Sequence, residues 1–181
     1  DWEFIICDDG SIDNSYNIAK YYEKKDSRIK VIKNDINKGL AYSLNRCIDI
    51  SCGEYIARQD SDDYSHERRL EEELNFLKKN NEYGFVSTGA YLFDNDGIWG
   101  ERNTKSYSPT KIELAKTNVF IHPTILAKKE IINSVKNYSV EKYTYRTEDY
   151  DLWFKIYSKN IKGYIMSDKL HYFREDRNSF S

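Results

Sequence analysis

The sequence has little of what marks boundaries or special environments. It holds two prolines and eight glycines in 181 residues, so there is little punctuation to divide it into domains. Length alone argues for one domain. The cysteines are three, Cys7, Cys47 and Cys52, an odd and scattered set that does not read as a disulfide framework. Cys7 lies in the apolar run from Phe4 and is expected to be a small core residue. Free thiols suit a reducing compartment, so the expected location is cytoplasmic, with the inner face of the membrane as a refinement. No apolar stretch approaches the ~18 residues that a membrane helix requires, and no signal peptide is visible. Net charge is −2, without the basic excess that a nucleic-acid binder usually carries, so no nucleic-acid partner is expected. No P-loop, G-x-S-x-G elbow or G-x-G-x-x-G fingerprint is present, and His66 and His171 lack partners at zinc-like spacing.

Short apolar runs alternate with helical patterns. Phe4 to Cys7, Ile29 to Ile32 and Tyr55 to Ala57 read as strands. Between and after them Ile18, Ala19 and Tyr22, then Leu40, Leu44, Cys47 and Ile48, then Leu70, Leu74 and Leu77 recur at helical spacing. This order predicts an α/β fold with a mainly parallel sheet and flanking helices. The second half is mixed. Phe85 to Ser87, Tyr91 to Phe93, Gly163 to Met166 and His171 to Arg174 are predicted strands, and Asn95-Asp96-Gly97 a turn. Ser108-Pro109 predicts a helix start, and Thr147 is expected to cap a helix from Glu148 to about Lys159.

Three acidic groups carry the chemical interest. Asp8-Asp9-Gly10-Ser11-Ile12-Asp13 follows a strand directly, where ligands bind in open α/β sheets. Its carboxylates suit a ribose hydroxyl or a base N–H, while Ser11 or Asp13 also suits a helix cap. Arg58-Gln59-Asp60-Ser61-Asp62-Asp63 places three carboxylates in four residues at another strand end. At ~4 Å and an effective dielectric of ~20 each pair repels by about 4 kcal/mol, which a bound cation would relieve. Oxygen-only ligands favour Mg²⁺ or Mn²⁺; a solvated acidic loop capping the next helix is the plainer alternative. Thr147-Glu148-Asp149 offers either carboxylates answering a helix dipole or a general base on a rigid element.

The order Glu3-Phe4-Ile5-Ile6-Cys7-Asp8-Asp9-Gly10-Ser11-Ile12-Asp13, Asn37-Lys38-Gly39-Leu40, Gly53-Glu54-Tyr55-Ile56-Ala57-Arg58-Gln59-Asp60-Ser61-Asp62-Asp63 and Thr147-Glu148-Asp149-Tyr150-Asp151-Leu152-Trp153 resembles family 2 of the glycosyltransferases, enzymes of the GT-A fold. The match spans residues 1 to about 175. The resemblance implies one GT-A-like domain over 1–181, with a nucleotide-binding half (1–90) and an acceptor-binding half (91–181). Asp8 and Asp9 would meet the nucleotide, Asp9 at its base; Gly39 would let the backbone pass close; Arg58 would line the donor pocket. Asp60 and Asp62 match the acidic ends of the D-x-D signature, Asp60 nearest the ribose and Asp62 ligating Mn²⁺ or Mg²⁺ on the diphosphate. Asp149 matches the catalytic base, Glu148 supports it, and His122 falls near the acceptor side. The implied partners are a nucleotide-sugar, with UDP as its nucleotide, and a glycan or lipid-linked acceptor. The family's first strand has no counterpart before Asp1, so the chain is expected to be truncated at its start, with peripheral membrane association left to segments absent here. A sugar-phosphate nucleotidyltransferase and a non-catalytic nucleotide- or carbohydrate-binding module are the alternatives.

Overall fold

A computed structural model describes residues 1–177. The chain opens with β1 (Phe4–Asp8), α1 (Ser15–Glu23), β2 (Ile29–Lys33), α2 (Leu40–Ile50) and β3 (Tyr55–Ala57). Then come β4 (Tyr64–Ser65), α3 (Arg69–Lys79), β5 (Tyr83–Asp94) and β6 (Gly97–Arg102). The rest is α4 (Lys111–Lys116), β7 (Leu126–Lys128), α5 (Lys129–Ser134), α6 (Glu148–Ser158) and β8 (Lys162–Arg174), with 3₁₀ turns at His122–Thr124 and Lys142–Thr144. The class is α/β with flanking helices, as the alternation of runs predicts. No helix among the described residues is long and apolar enough to cross a membrane.

The sheet is more mixed than the sequence pattern implies. β1 and β2 pair in parallel as a separate two-stranded unit. β3 pairs antiparallel with β7, within the order β3-β7-β5-β8-β4, and β6 extends β5 as a hairpin. The reason is local: β7 is three residues long, too short to show a period, and it supplies β3's partner. The predicted turn at Asn95-Asp96-Gly97 is the hairpin bend, with Gly97 at φ +116°.

Two predicted strand pairs are each one long strand. β5 runs through Thr88-Gly89-Ala90 and β8 through Ser167-Asp168-Lys169, and the two are parallel neighbours. The polar break in β8 is a bulge: Ser87 pairs with Ile165 but Gly89 with Lys169. A Cβ on Gly89 would lie 2.8 Å from the carbonyl oxygens of Asn103 and Ser167, so glycine permits the close approach.

The core lies under β5 and β8. Trp153 stacks on Phe85 at 4.8 Å between centroids, with Phe120 edge-on to both. Phe85, Leu114, Leu152, Trp153, Ile156 and Ile165 are fully buried; each such side chain contributes about 1.5–3 kcal/mol. A smaller cluster joins Leu77, Val86 and Leu126. By contrast α1 buries no residue, and Ile18 and Tyr22, expected on its inner face, stay exposed. Cys7 is only half-buried rather than a core residue.

One helix start and one helix cap differ from expectation. α4 begins after Thr110, not at Ser108-Pro109: Thr110 Oγ1 accepts from Glu113 N while Glu113 returns to Thr110 N, a complete capping box. Ser108 instead donates to the Gly163 carbonyl. Thr147 does stand before α6, but its hydroxyl donates to the Thr144 carbonyl rather than capping.

α3 carries an unusual burial. Arg69 and Glu73 are both inside, with Nε to Oε2 at 3.7 Å, and neither Glu73 oxygen has a hydrogen-bond partner among the described residues. Burial pushes the Glu73 carboxyl up to about 8, against the pull of Arg69. Its folded pKa thus lies above the ordinary 4.5, so its contribution is fully present below pH 4.5 and is lost as pH rises through about 8. We expect Glu73→Gln to flatten this loss. Denaturant unfolding at about pH 5 and about pH 9 should show the wild type losing more stability between the two than the variant; parallel losses would contradict the buried neutral carboxyl.

Candidate functional site

Three segments carry the expected site residues. The turn after β1 is built by its own side chains. Asp8, buried, accepts from Ser11 N at 3.2 Å, and Asp13 accepts from Ser15 N at 3.0 Å. Asp9 reaches across to the loop after β2. Its Oδ1 accepts from Lys38 N at 2.8 Å and Asn34 Nδ2 at 2.6 Å, and its Oδ2 from Gly39 N at 2.8 Å. Burial raises the Asp9 pKa, but these N–H donors outweigh it and hold the carboxylate below its ordinary value. Asp9 therefore closes the Asn37-Lys38-Gly39 loop onto β1. Gly39 stands at φ +89° and Gly10 at φ +75°.

The acidic loop after β3 resolves its own repulsion unevenly. Asp60 forms an ion pair with the buried Arg58 guanidinium. Asp63 receives His171 Nε2 at 2.9 Å and Arg174 N at 2.7 Å. Asp62 alone is exposed with no side-chain partner among the described residues. Two of the three carboxylates are thus answered by the protein itself. Among the described residues, no group of three or more His, Cys, Asp or Glu is arranged to hold a metal ion.

The third segment is the start of α6. Asn118 Nδ2 donates to Asp149 Oδ2 at 2.6 Å and orients that carboxylate. Glu148 is beside it in the same first turn. Before them Arg146 takes φ +66°, a left-handed conformation for a residue with a Cβ.

A crevice of about 680 Å³ joins the acidic loop to the start of α6. Arg58 and Asp60 line it with Glu148, Asp149 and His122, although Asp60 and Asp149 are far apart in sequence. Leu40, beside Gly39, also lines it, whereas Asp8, Asp9, Gly39 and Asp62 do not. A second hollow, of about 450 Å³, offers one carboxylate, Asp49, and none of the expected residues. His122 is half-buried; its Nε2 is 2.8 Å from the Tyr138 hydroxyl, and burial, then Arg58, holds its pKa well below the ordinary value. It is neutral at pH 7.

Sequence reasoning missed Arg102, Asn118, Arg146 and Phe173 as crevice residues. Only the His122 segment, read as lying on the acceptor side, pointed to this wall. Arg102 sits at the end of β6, a strand without a sequence signal, and Phe173 near the end of β8.

Comparisons with known proteins identify the family and the fold. The pattern of glycosyl transferase family 2 matches residues 1–147. EpsE of Bacillus subtilis is 42% identical over 180 residues, covering 99% of this chain and 64% of that protein. The Escherichia coli UDP-Glc:alpha-D-GlcNAc-diphosphoundecaprenol beta-1,3-glucosyltransferase WfaP is 34% identical over 165 residues, covering 89% of this chain and 61% of that protein. The chain thus spans less than two thirds of the length of these relatives. The S. aureus TarS 1-349 structure in complex with UDP-GlcNAc superposes with TM-score 0.75 at 19% identity, covering 98% of this chain and 50% of that one. That likeness is one of fold.

The β1 turn is where a small change has a calculable cost. A Cβ on Gly10 would lie 2.6 Å from the Ile36 carbonyl carbon, in backbone that cannot yield as a side chain would. Together with the positive φ, Gly10→Ala should cost about 1–3 kcal/mol, read as a lower denaturant midpoint. An unchanged midpoint would mean the turn does not hold this conformation.

Proposed function

Since the chain belongs to glycosyl transferase family 2, we propose that it transfers a sugar from a nucleotide-sugar, with UDP as the nucleotide, to an acceptor hydroxyl with inversion at the anomeric carbon. The observation that carries this reading is the crevice itself, which Arg58 and Asp60 line together with Glu148 and Asp149. In this reading Asp8, Asp9 and Gly39 shape the wall at which the nucleoside docks, and Arg58 and Asp60 hold the donor. Asp149, aimed by Asn118, takes the proton of the acceptor hydroxyl. That oxygen forms a bond to the anomeric carbon, the carbon–oxygen bond to the diphosphate breaks, and the nucleoside diphosphate leaves with the electron pair. Glu148 supports the base through its charge. Neutral His122 sits on the acceptor side and cannot repel an approaching proton.

Asp62 suits a Mn²⁺ or Mg²⁺ ion. Such ions take one or two protein carboxylates and complete their shell with phosphate oxygens and water. The Asp62 carboxylate is exposed and unshared, while Asp60, the other residue of the pair, must divide its charge with Arg58. The ion would neutralise charge growing on the leaving diphosphate. The acceptor in this proposal is a glycan or a lipid-linked sugar in bacterial surface polysaccharide assembly; its support is the E. coli relative WfaP, a glucosyltransferase acting on alpha-D-GlcNAc-diphosphoundecaprenol.

Two measurements on the full enzyme test the reading. UDP binding followed by titration calorimetry should strengthen on adding Mn²⁺, and Asp62→Asn should remove most of that gain; equal affinity with a chelator present would contradict the ion. Asp149→Asn should leave UDP affinity within about twofold and lower turnover with UDP-sugars by roughly 10²–10⁴-fold, the scale of general-base loss. Unchanged turnover would remove Asp149 from the mechanism.

A further inference from the structure

Three side chains that take no part in the mechanism form one buried chain behind the acidic loop. Asp63, His171 and Arg69 are 2%, 0% and 3% exposed at their side chains. Arg69 Nη2 donates to the Arg58 carbonyl at 2.9 Å, and Arg69 Nη1 to the Pro123 carbonyl at 2.6 Å. Nη1 also meets His171 Nδ1 at 3.2 Å. A guanidinium only donates, so Nδ1 accepts, the proton is on Nε2, and Nε2 donates to Asp63 Oδ2 at 2.9 Å. Asp63 Oδ1 then receives Arg174 N at 2.7 Å, and Arg174 Nε reaches the Asp62 carbonyl at 3.3 Å.

The ends of this chain matter more than its middle. One end grips the carbonyl of Arg58, where the acidic loop begins; the other grips Asp63, where it stops. A branch holds Pro123, next to His122, in the crevice-lining segment that runs beside Arg58, whose N–H donates to the Ile125 carbonyl at 2.9 Å. With both ends of the loop tied to one buried unit, the half-buried Asp60 and the exposed Asp62 keep a fixed spacing from the His122 segment. A chain serving stability alone has no need to end at both limits of this loop.

We propose that Arg69, His171 and Asp63 are positioning residues that hold the acidic loop at the spacing a nucleoside diphosphate requires. The inference rests on the nucleotide-binding reading above. None of the three touches the donor; they act through Asp60 and Asp62, as groups behind a ligand set commonly do.

The test compares His171→Leu, His171→Gln and Asp63→Asn in the full enzyme. UDP affinity in Mn²⁺ is read by titration calorimetry well below each variant's melting temperature. Glutamine keeps an N–H donor for Asp63 Oδ2 and leucine does not. His171→Leu and Asp63→Asn should weaken UDP about tenfold, and His171→Gln should recover most of the loss. A purely structural chain would lower melting temperatures and leave the affinity of the folded variants alone. Wild-type affinity in folded His171→Leu and Asp63→Asn overturns the positioning role while leaving the nucleotide site standing. Failure of both to fold while His171→Gln folds assigns the chain to stability and overturns it too. No UDP binding by the wild type is a separate outcome, and it removes the nucleotide reading itself.

Discussion

One buried guanidinium organises this molecule. Arg69 is inside, and a charge in that position is tolerated only when paired or hydrogen-bonded. Its neighbour Glu73 cannot pair with it fully, being driven toward the neutral acid by the same burial. The charge is answered instead across His171 by Asp63, with the Pro123 and Arg58 carbonyls accepting from Nη1 and Nη2, while Nε has no hydrogen-bond partner among the described residues. Those partners belong to the acidic loop, the His122–Thr124 turn and β8. Satisfying a single cation therefore reinforces from inside what the sheet pairings begin, since Arg58 N donates to the Ile125 carbonyl beside the β3–β7 pair and Ser65 pairs with His171 between β4 and β8.

The rest of the architecture follows a division of labour. β5 and β8 carry the core and, with α6 packed on it through Trp153, form the rigid floor from which Asp149 projects. The β1–α1–β2 unit is held differently, by polar reach more than by apolar burial. Asp9 stitches its two loops, Glu3 accepts from Gly53 N, and α1 buries nothing. Local opening takes least free energy where few apolar contacts hold an element. The wall assigned to the nucleoside thus sits on the less packed part of the chain, and the wall assigned to the base on the most packed part.

Much of this was legible in the residues. β1, β2 and β3 lie where short apolar runs placed them, α2 and α3 where helical spacing did, and α6 where Thr147 marked its start. β5 and β8 were each split in two because a bulge at Gly89 opposite Ser167-Asp168 looks, in one dimension, like two strand ends. The α4 start was misread because Ser108-Pro109 and Thr110-Lys111-Ile112-Glu113 are both plausible caps, and only the returned bond from Glu113 decides between them. Among site residues, Arg58, Asp60, Glu148, Asp149 and His122 do share one crevice. Repulsion within the acidic loop was counted correctly but not its relief, since nothing in a linear sequence says that His171 lies behind Asp63. Asn118 was invisible for the same reason: it aims Asp149 from a segment with no periodicity of its own.

The central claim is that the crevice between the Arg58–Asp63 loop and the start of α6 receives a nucleoside diphosphate. A crystal structure of the full enzyme with UDP and Mn²⁺ tests it most directly. The account predicts the nucleoside against the Asp8–Ser11 turn and Gly39, the diphosphate beside Asp62, and an open space between the diphosphate and Asp149 large enough for a sugar. UDP bound elsewhere, or in this crevice with Asp149 turned away from it, would contradict the account.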